Sequence, residues 1–192
     1  MSRARESRWL WIAASAAAAL ALVLQRGANT ADTPHASTRL IAPLLPLAAS
    51  VQWVRVERAM HAGRPELALA RSQTLFELEP RSGDARVFVS MYLAFQVGSP
   101  ERELDPQRRA EWLRAALEVV HGGEARGEDP AELALWQGEL LARAAQQDPQ
   151  LPWPDGVRGL WRDAARNYER AARWGSKLAA ERLAEVREHL DE

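Results

Sequence analysis

The side chains best suited to proton transfer or metal ligation near neutral pH are four histidines, His35, His61, His121 and His189. They are scattered along the chain, and none is followed at i+3 or i+4 by a ligand that completes a metal motif. His61 and His121 fall at expected helix ends, where a cation is favoured by the helix dipole, so both read as capping residues. A His-Gly-Gly turn at 121–123 would serve an oxyanion only beside a G-x-S-x-G nucleophile elbow, and the sequence contains none. The acidic pairs Glu101/Glu103 and Glu128/Asp129 sit in polar loops flanked by arginines. Solvated carboxylates of that kind do not make an acid–base pair. There is no phosphate-binding loop and no dinucleotide fingerprint. The chain has no cysteine, which excludes disulfides, zinc–thiolate sites and thiol nucleophiles. The expectation is a protein without catalytic residues, metal, cofactor or small-molecule substrate.

Charge points the same way. The formal net charge of the 192 residues is −1. Arg3, Arg5, Arg8 and Arg26 against Glu6 make the first 27 residues basic, by +3, and leave the remainder at −4. A mildly acidic domain does not track a phosphate backbone, so no nucleic-acid partner is expected. Eight tryptophans are the other unusual feature. Trp112, Trp136 and Trp161 fall on expected inward helix faces, whereas Trp53 and Trp174 are placed to anchor a partner.

Residues 1–8 are a basic N-terminus. The stretch that follows, W-L-W-I-A-A-S-A-A-A-A-L-A-L-V-L-Q at 9–25, carries no charge. As a helix it spans about 26 Å at ~1.5 Å per residue, close to the ~30 Å hydrocarbon core of a bilayer. Trp9 and Trp11 mark one interface, and the preceding arginines place the N-terminus on the cytoplasmic side. A signal anchor at 9–26 is therefore expected. A cleaved signal peptide is the alternative, with weak cleavage sites after Ala28 or Ala31. Residues 27–39 are small, polar and proline-broken, and the stretch 27–43 reads as a flexible linker.

From residue 44 onward the pattern is helical, with no sustained period-two alternation. Prolines and glycines punctuate it, giving helices over 46–62, 65–78, 84–97, 106–120, 130–147, 156–174 and 176–190. Inward faces follow from the spacing: Ala68, Ser72, Leu75 and Phe76 in the second helix; Val87, Phe88, Met91, Tyr92 and Phe95 in the third; Leu160, Trp161, Ala164, Ala165 and Tyr168 in the sixth. His121-Gly122-Gly123 reads as the C-cap of the fourth helix, and Trp153, between two prolines, as an apolar plug. The last helix is charged on most of its surface, as a capping helix should be.

The helices pair in sequence. From Gly63, a small alanine follows five residues on at Ala68 and a proline twelve further at Pro80. This spacing resembles the tetratricopeptide repeat, in which the glycine turns the chain, the alanine lets two helices approach and the proline ends the unit. Ala164, Tyr168 and Ala171 repeat the small–aromatic–small pattern of that family's second helix. Residues 167–184 also resemble the related Sel1-like repeats. The resemblance covers about 46–190 and departs from the family pattern at Trp53, Ser72 and Leu75 and in the long loops 98–105, 121–129 and 148–155. It implies an all-α solenoid of about three helical hairpins plus a capping helix over 44–192, behind a single transmembrane helix.

What the resemblance implies for function is protein–protein interaction. The first helices of each pair would line a concave face, which here means Trp53, Glu57, His61, Arg86, Ser90 and Phe95. The expected protein is a non-enzymatic scaffold of the bacterial cell envelope. It would cross the inner membrane once, with its helical domain periplasmic or extracellular and a protein as its partner. An integral structural subunit of a larger membrane or secretion-type complex is the alternative.

Overall fold

The structure is a computed structural model that describes residues 44–80, 82–124 and 129–191. The expected anchor and linker lie outside the described residues. Among the described residues every regular element is helical: α1 (Leu45–His61), α2 (Pro65–Leu78), α3 (Gly83–Tyr92), α4 (Pro106–Glu124), α5 (Pro130–Gln147), α6 (Gly156–Arg173) and α7 (Lys177–Asp191). A π-helical turn, Leu93–Val97, continues α3. No helix among the described residues is long and apolar enough to cross a membrane.

Helix ends follow local chemistry. Pro65 and Pro130 occupy first-turn positions, where the missing N–H costs nothing. Asp129 caps α5, its Oδ1 accepting from Ala131 N at 2.9 Å and Glu132 N at 3.2 Å. Gly63 has φ +65°. It closes α1 with paired bonds, Gly63 N to Met60 O and Arg64 N to Ala59 O, both at 3.0 Å. This is the Schellman arrangement, which needs a left-handed residue at that point. Gly175, at φ +95°, ends α6 by the same pair of bonds, to Ala172 O and Ala171 O.

From α2 onward successive helices pack against each other, α5 and α6 most extensively, and next-but-one helices also touch. α1 meets α2 through Gln52 Nε2, which donates to Arg71 O at 2.8 Å. Tyr92 on α3 donates to Met60 O on α1 at 3.3 Å. Arg170 on α6 meets Glu124 at the end of α4 at 2.9 Å, and Arg182 on α7 lies 3.2 Å from Glu139 on α5. The core runs continuously through the layer between them, from Val56 and Ala68 through Val89, Leu93, Leu113 and Leu133 to Leu160, Ala164 and Val186, all at most 3% exposed. Arg109 ties the long loop before α4 into this body. Its Nε donates to Asp148 Oδ2 at 2.7 Å and its Nη1 to the carbonyls of Glu103 and Leu104, both at 3.1 Å.

Two readings of the sequence need correction. The fourth helix does not cap at His121-Gly122-Gly123 but continues to Glu124. Gly122 stays helical beside the Arg86 side chain: a Cβ there would lie 3.4 Å from Arg86 Nη1. The inward face of α3 is also turned. Ala85, Arg86, Val89 and Ser90 are buried, whereas Val87 is half-buried and Phe88 is 48% exposed.

Candidate interaction groove

Side chains of α1 and α3 meet around a cavity of about 580 Å³, which Leu75 of α2 also lines. Trp53 and Phe88 form its aromatic wall, with ring centroids 5.3 Å apart and planes at 60°, an edge-to-face pair. Ala49, Val54, Leu75 and Ala85 supply further apolar surface. Two exposed carboxylates, Glu79 and Asp84, line it as well. The cavity is positioned by the fold rather than by a loop. Val56 and Met60 turn α1's other side into the core, which leaves Ser50, Trp53 and Val54 facing α3 and the solvent. Such a surface offers burial and dispersion to an apolar side chain, with negative charge close by.

The six residues expected on the concave face separate into two groups. Trp53 lines the groove. Glu57 is half-buried one turn on, and exposed His61 gives its Nδ1–H to Glu57 O at 2.8 Å. Phe95 lies half-buried in the π-helical turn, its ring 4.9 Å beneath the Arg143 guanidinium. Arg86 and Ser90 are not at the surface: they are 2% and 0% exposed. The Arg86 guanidinium carbon stands 4.3 Å over the Phe76 ring, with Nη1 donating to Val119 O at 3.3 Å. Ser90 Oγ donates within its own helix to Val87 O at 2.8 Å. Arg86 therefore ties α3 to its neighbours, and neither residue offers a partner a surface to touch. Phe88, read from the sequence as core, takes their place. The spacing of α3 gave no signal for it, because Val87, Phe88, Met91, Tyr92 and Phe95 form an apolar stripe of ordinary width.

Two other concavities are built from charge. Between α4, α5 and α6 lies a space of about 610 Å³, where Arg170 Nη2 donates to Glu124 Oε1, Gln137 Oε1 and Asn167 Oδ1 at 2.7 to 2.9 Å. His121 Nδ1 lies 3.4 Å from Glu124 Oε2. Trp153, expected as an apolar plug, is half-buried and donates its indole N–H to Asp163 Oδ2 at 3.0 Å. Opposite charges here satisfy one another, which makes the network a helix-to-helix tie. Between α5, α6 and α7, Trp161 stacks on His189 with centroids 4.4 Å apart. Nearby, burial pushes the Tyr168 phenol well above the ordinary tyrosine value, and the Glu139 carboxylate adds to the shift. That group stays protonated and does not serve as a base near neutral pH.

No family model matches this chain, and no curated protein or solved structure is significantly similar to it.

Proposed function

We propose that this protein is a non-enzymatic docking module of the cell envelope, held to the inner membrane by residues 9–26 with its helical domain on the periplasmic or external side. The observation that carries the docking role is the groove between α1 and α3, in which exposed Phe88 stands against half-buried Trp53 beside Glu79 and Asp84. Its chemistry suits a partner helix that presents apolar side chains and a basic residue. Aromatic anchors of this kind dominate the energetics of protein interfaces. The uncharged stretch 9–25 behind three arginines supports the anchor and its orientation.

The helices belong to a degenerate tetratricopeptide-like array in this reading. Three features support it: the left-handed Gly63 between α1 and α2, the fully buried Ala68 five residues on, and the contacts between next-but-one helices. A stack of this kind uses its first helices for recognition, and Trp53, Glu57, Phe88 and Phe95 all lie on α1 or on α3 and its continuation.

The test is capture by the tagged full-length protein from detergent-solubilised membranes, read by mass spectrometry. A protein recovered with the wild type should be depleted about tenfold with Trp53→Ala and with Phe88→Ala, the loss of one anchor worth ~1.4 kcal/mol. Recovery of every partner undiminished by both changes would overturn the reading.

A further inference from the structure

We propose that the partner of this surface is a second copy of this chain, whose α1 packs antiparallel, about a two-fold axis, on the exposed row of α1 and against the groove beside it. This rests on the reading of the groove as a docking site and names its occupant.

The outward side of α1 is apolar where solvent should favour polar residues. Leu47, Val51 and Val54 lie in one row, four and three residues apart, and are 64%, 49% and 44% exposed. Arg58 continues the row one turn further. With Phe88 beside it, this is the kind of patch that marks an interface rather than a scatter of single apolar residues. The opposite end of the stack is finished differently. The outward row of α7 is Lys177, Glu181, Glu185 and Glu188, all exposed. A charged last helix closes an array, and among the described residues no helix covers the outward row of α1.

Charge selects the second copy. The first turn of α1 carries no acid, and its last turn carries Arg58 and His61. Glu79 and Asp84 line the groove together with Ala49, Ser50, Trp53 and Val54, all N-terminal to Arg58 on α1. The surface thus carries acid beside the earlier part of α1 and base at its end. An antiparallel two-fold arrangement sets Arg58 of each copy towards Asp84 of the other and Val51 near its own equivalent. Such a surface is self-complementary, which is what an isologous interface requires. An anionic lipid surface would meet Glu79 and Asp84 unfavourably. Head-to-tail stacking of α1 on α7 would bury Lys177 and Glu181 against leucine and valine without partners.

The absence of cysteine makes the test direct, because one introduced thiol is the only one present. Full-length Val51→Cys, purified in detergent and mildly oxidised, should form a disulfide-linked dimer. Leu178→Cys, on exposed α7, should remain monomeric. Arg58→Glu should raise the concentration for half-dimerisation about tenfold, and adding Asp84→Arg should restore it. Circular dichroism of each variant confirms that these exposed changes leave the helices formed. A monomer at every concentration, equal cross-linking from Val51→Cys and Leu178→Cys, or no rescue by the double change would overturn the proposal. So would quenching of a fluorophore on Val51→Cys by spin-labelled lipid in proteoliposomes, which puts lipid where the second copy belongs. If the chain is monomeric but another protein is still lost with Phe88→Ala, the second copy is ruled out and the docking groove stands.

Discussion

The guanidinium carbon of Arg86 sits 4.3 Å above the centre of the Phe76 ring, and the same side chain donates to Val119 O. A cation on α3 is thereby held between an aromatic ring of α2 and a carbonyl of α4. A buried charge persists only when such partners replace its hydration. Removing it empties the space and breaks the tie among three helices. Arg86→Ala should cost about 2–4 kcal/mol in chemical denaturation. Because Arg86 does not line the groove, partner capture by this variant at low temperature should match the wild type.

Gly138 on α5 lies where the Tyr168 ring of α6 comes closest: a Cβ there would stand 2.6 Å from Tyr168 Cε1. The closest helix pair in the molecule depends on this missing side chain. Gly138→Ala should therefore destabilise by about 1–3 kcal/mol, despite alanine's better helix propensity. In a Tyr168→Leu background the same change should cost markedly less, a coupling that a double-mutant cycle measures.

Tyr168 also sets an alkaline limit. In the unfolded chain its phenol ionises near the ordinary value of 10.0, whereas burial and Glu139 raise it in the folded protein. The folded state thus keeps a proton that the unfolded state loses. The contribution is complete below pH 10 and falls away above it, by up to ~1.4 kcal/mol per pH unit. Burial raises Tyr92 in the same direction. Urea midpoints measured from pH 8 to pH 11 should fall above pH 10, and less steeply in Tyr168→Phe.

Arg109, 9% exposed, joins the 98–105 loop, the start of α4 and the end of α5 through one guanidinium. Its planar set of donors meets a carboxylate and two carbonyls at once, which an ammonium cannot reproduce. Arg109→Lys should recover little of the roughly 3 kcal/mol lost in Arg109→Ala. Hydrogen exchange should show the amides of Arg102 and Glu103, which bond to Ser99 O in the native loop, opening first.

Helix boundaries were legible because proline and glycine act locally. Pro65, Pro130, Gly63 and Gly175 each do their work with the nearest turn of chain, so the element limits follow from them within a residue or two. The end of α4 was not legible. Gly122 and Gly123 look like a stop, but they remain helical where Arg86 packs alongside, and Arg86 belongs to another helix. The inward face of α3 failed for the same reason. Polarity assigns Arg86 and Ser90 to solvent and Phe88 to the core, and the ring of Phe76 and the carbonyl of Val119, both on other helices, help to reverse that order for Arg86. Trp53, expected on the first-helix face, lines the groove, whereas its neighbour Phe88 could be placed there only once the registry between α1 and α3 was known. Gly138 carried no sequence signal, since its role is defined by the ring of Tyr168 thirty residues away.

The central claim is that the Trp53–Phe88 groove docks a protein. It is tested most directly by a photo-activatable benzoylphenylalanine placed at Phe88 in the full-length, membrane-bound protein. Irradiation should yield a discrete protein adduct, and Trp53→Ala in the same chain should weaken it. The same probe placed at Leu178 should give none. Adducts only with lipid or detergent, or adducts unaffected by Trp53→Ala, would contradict the account.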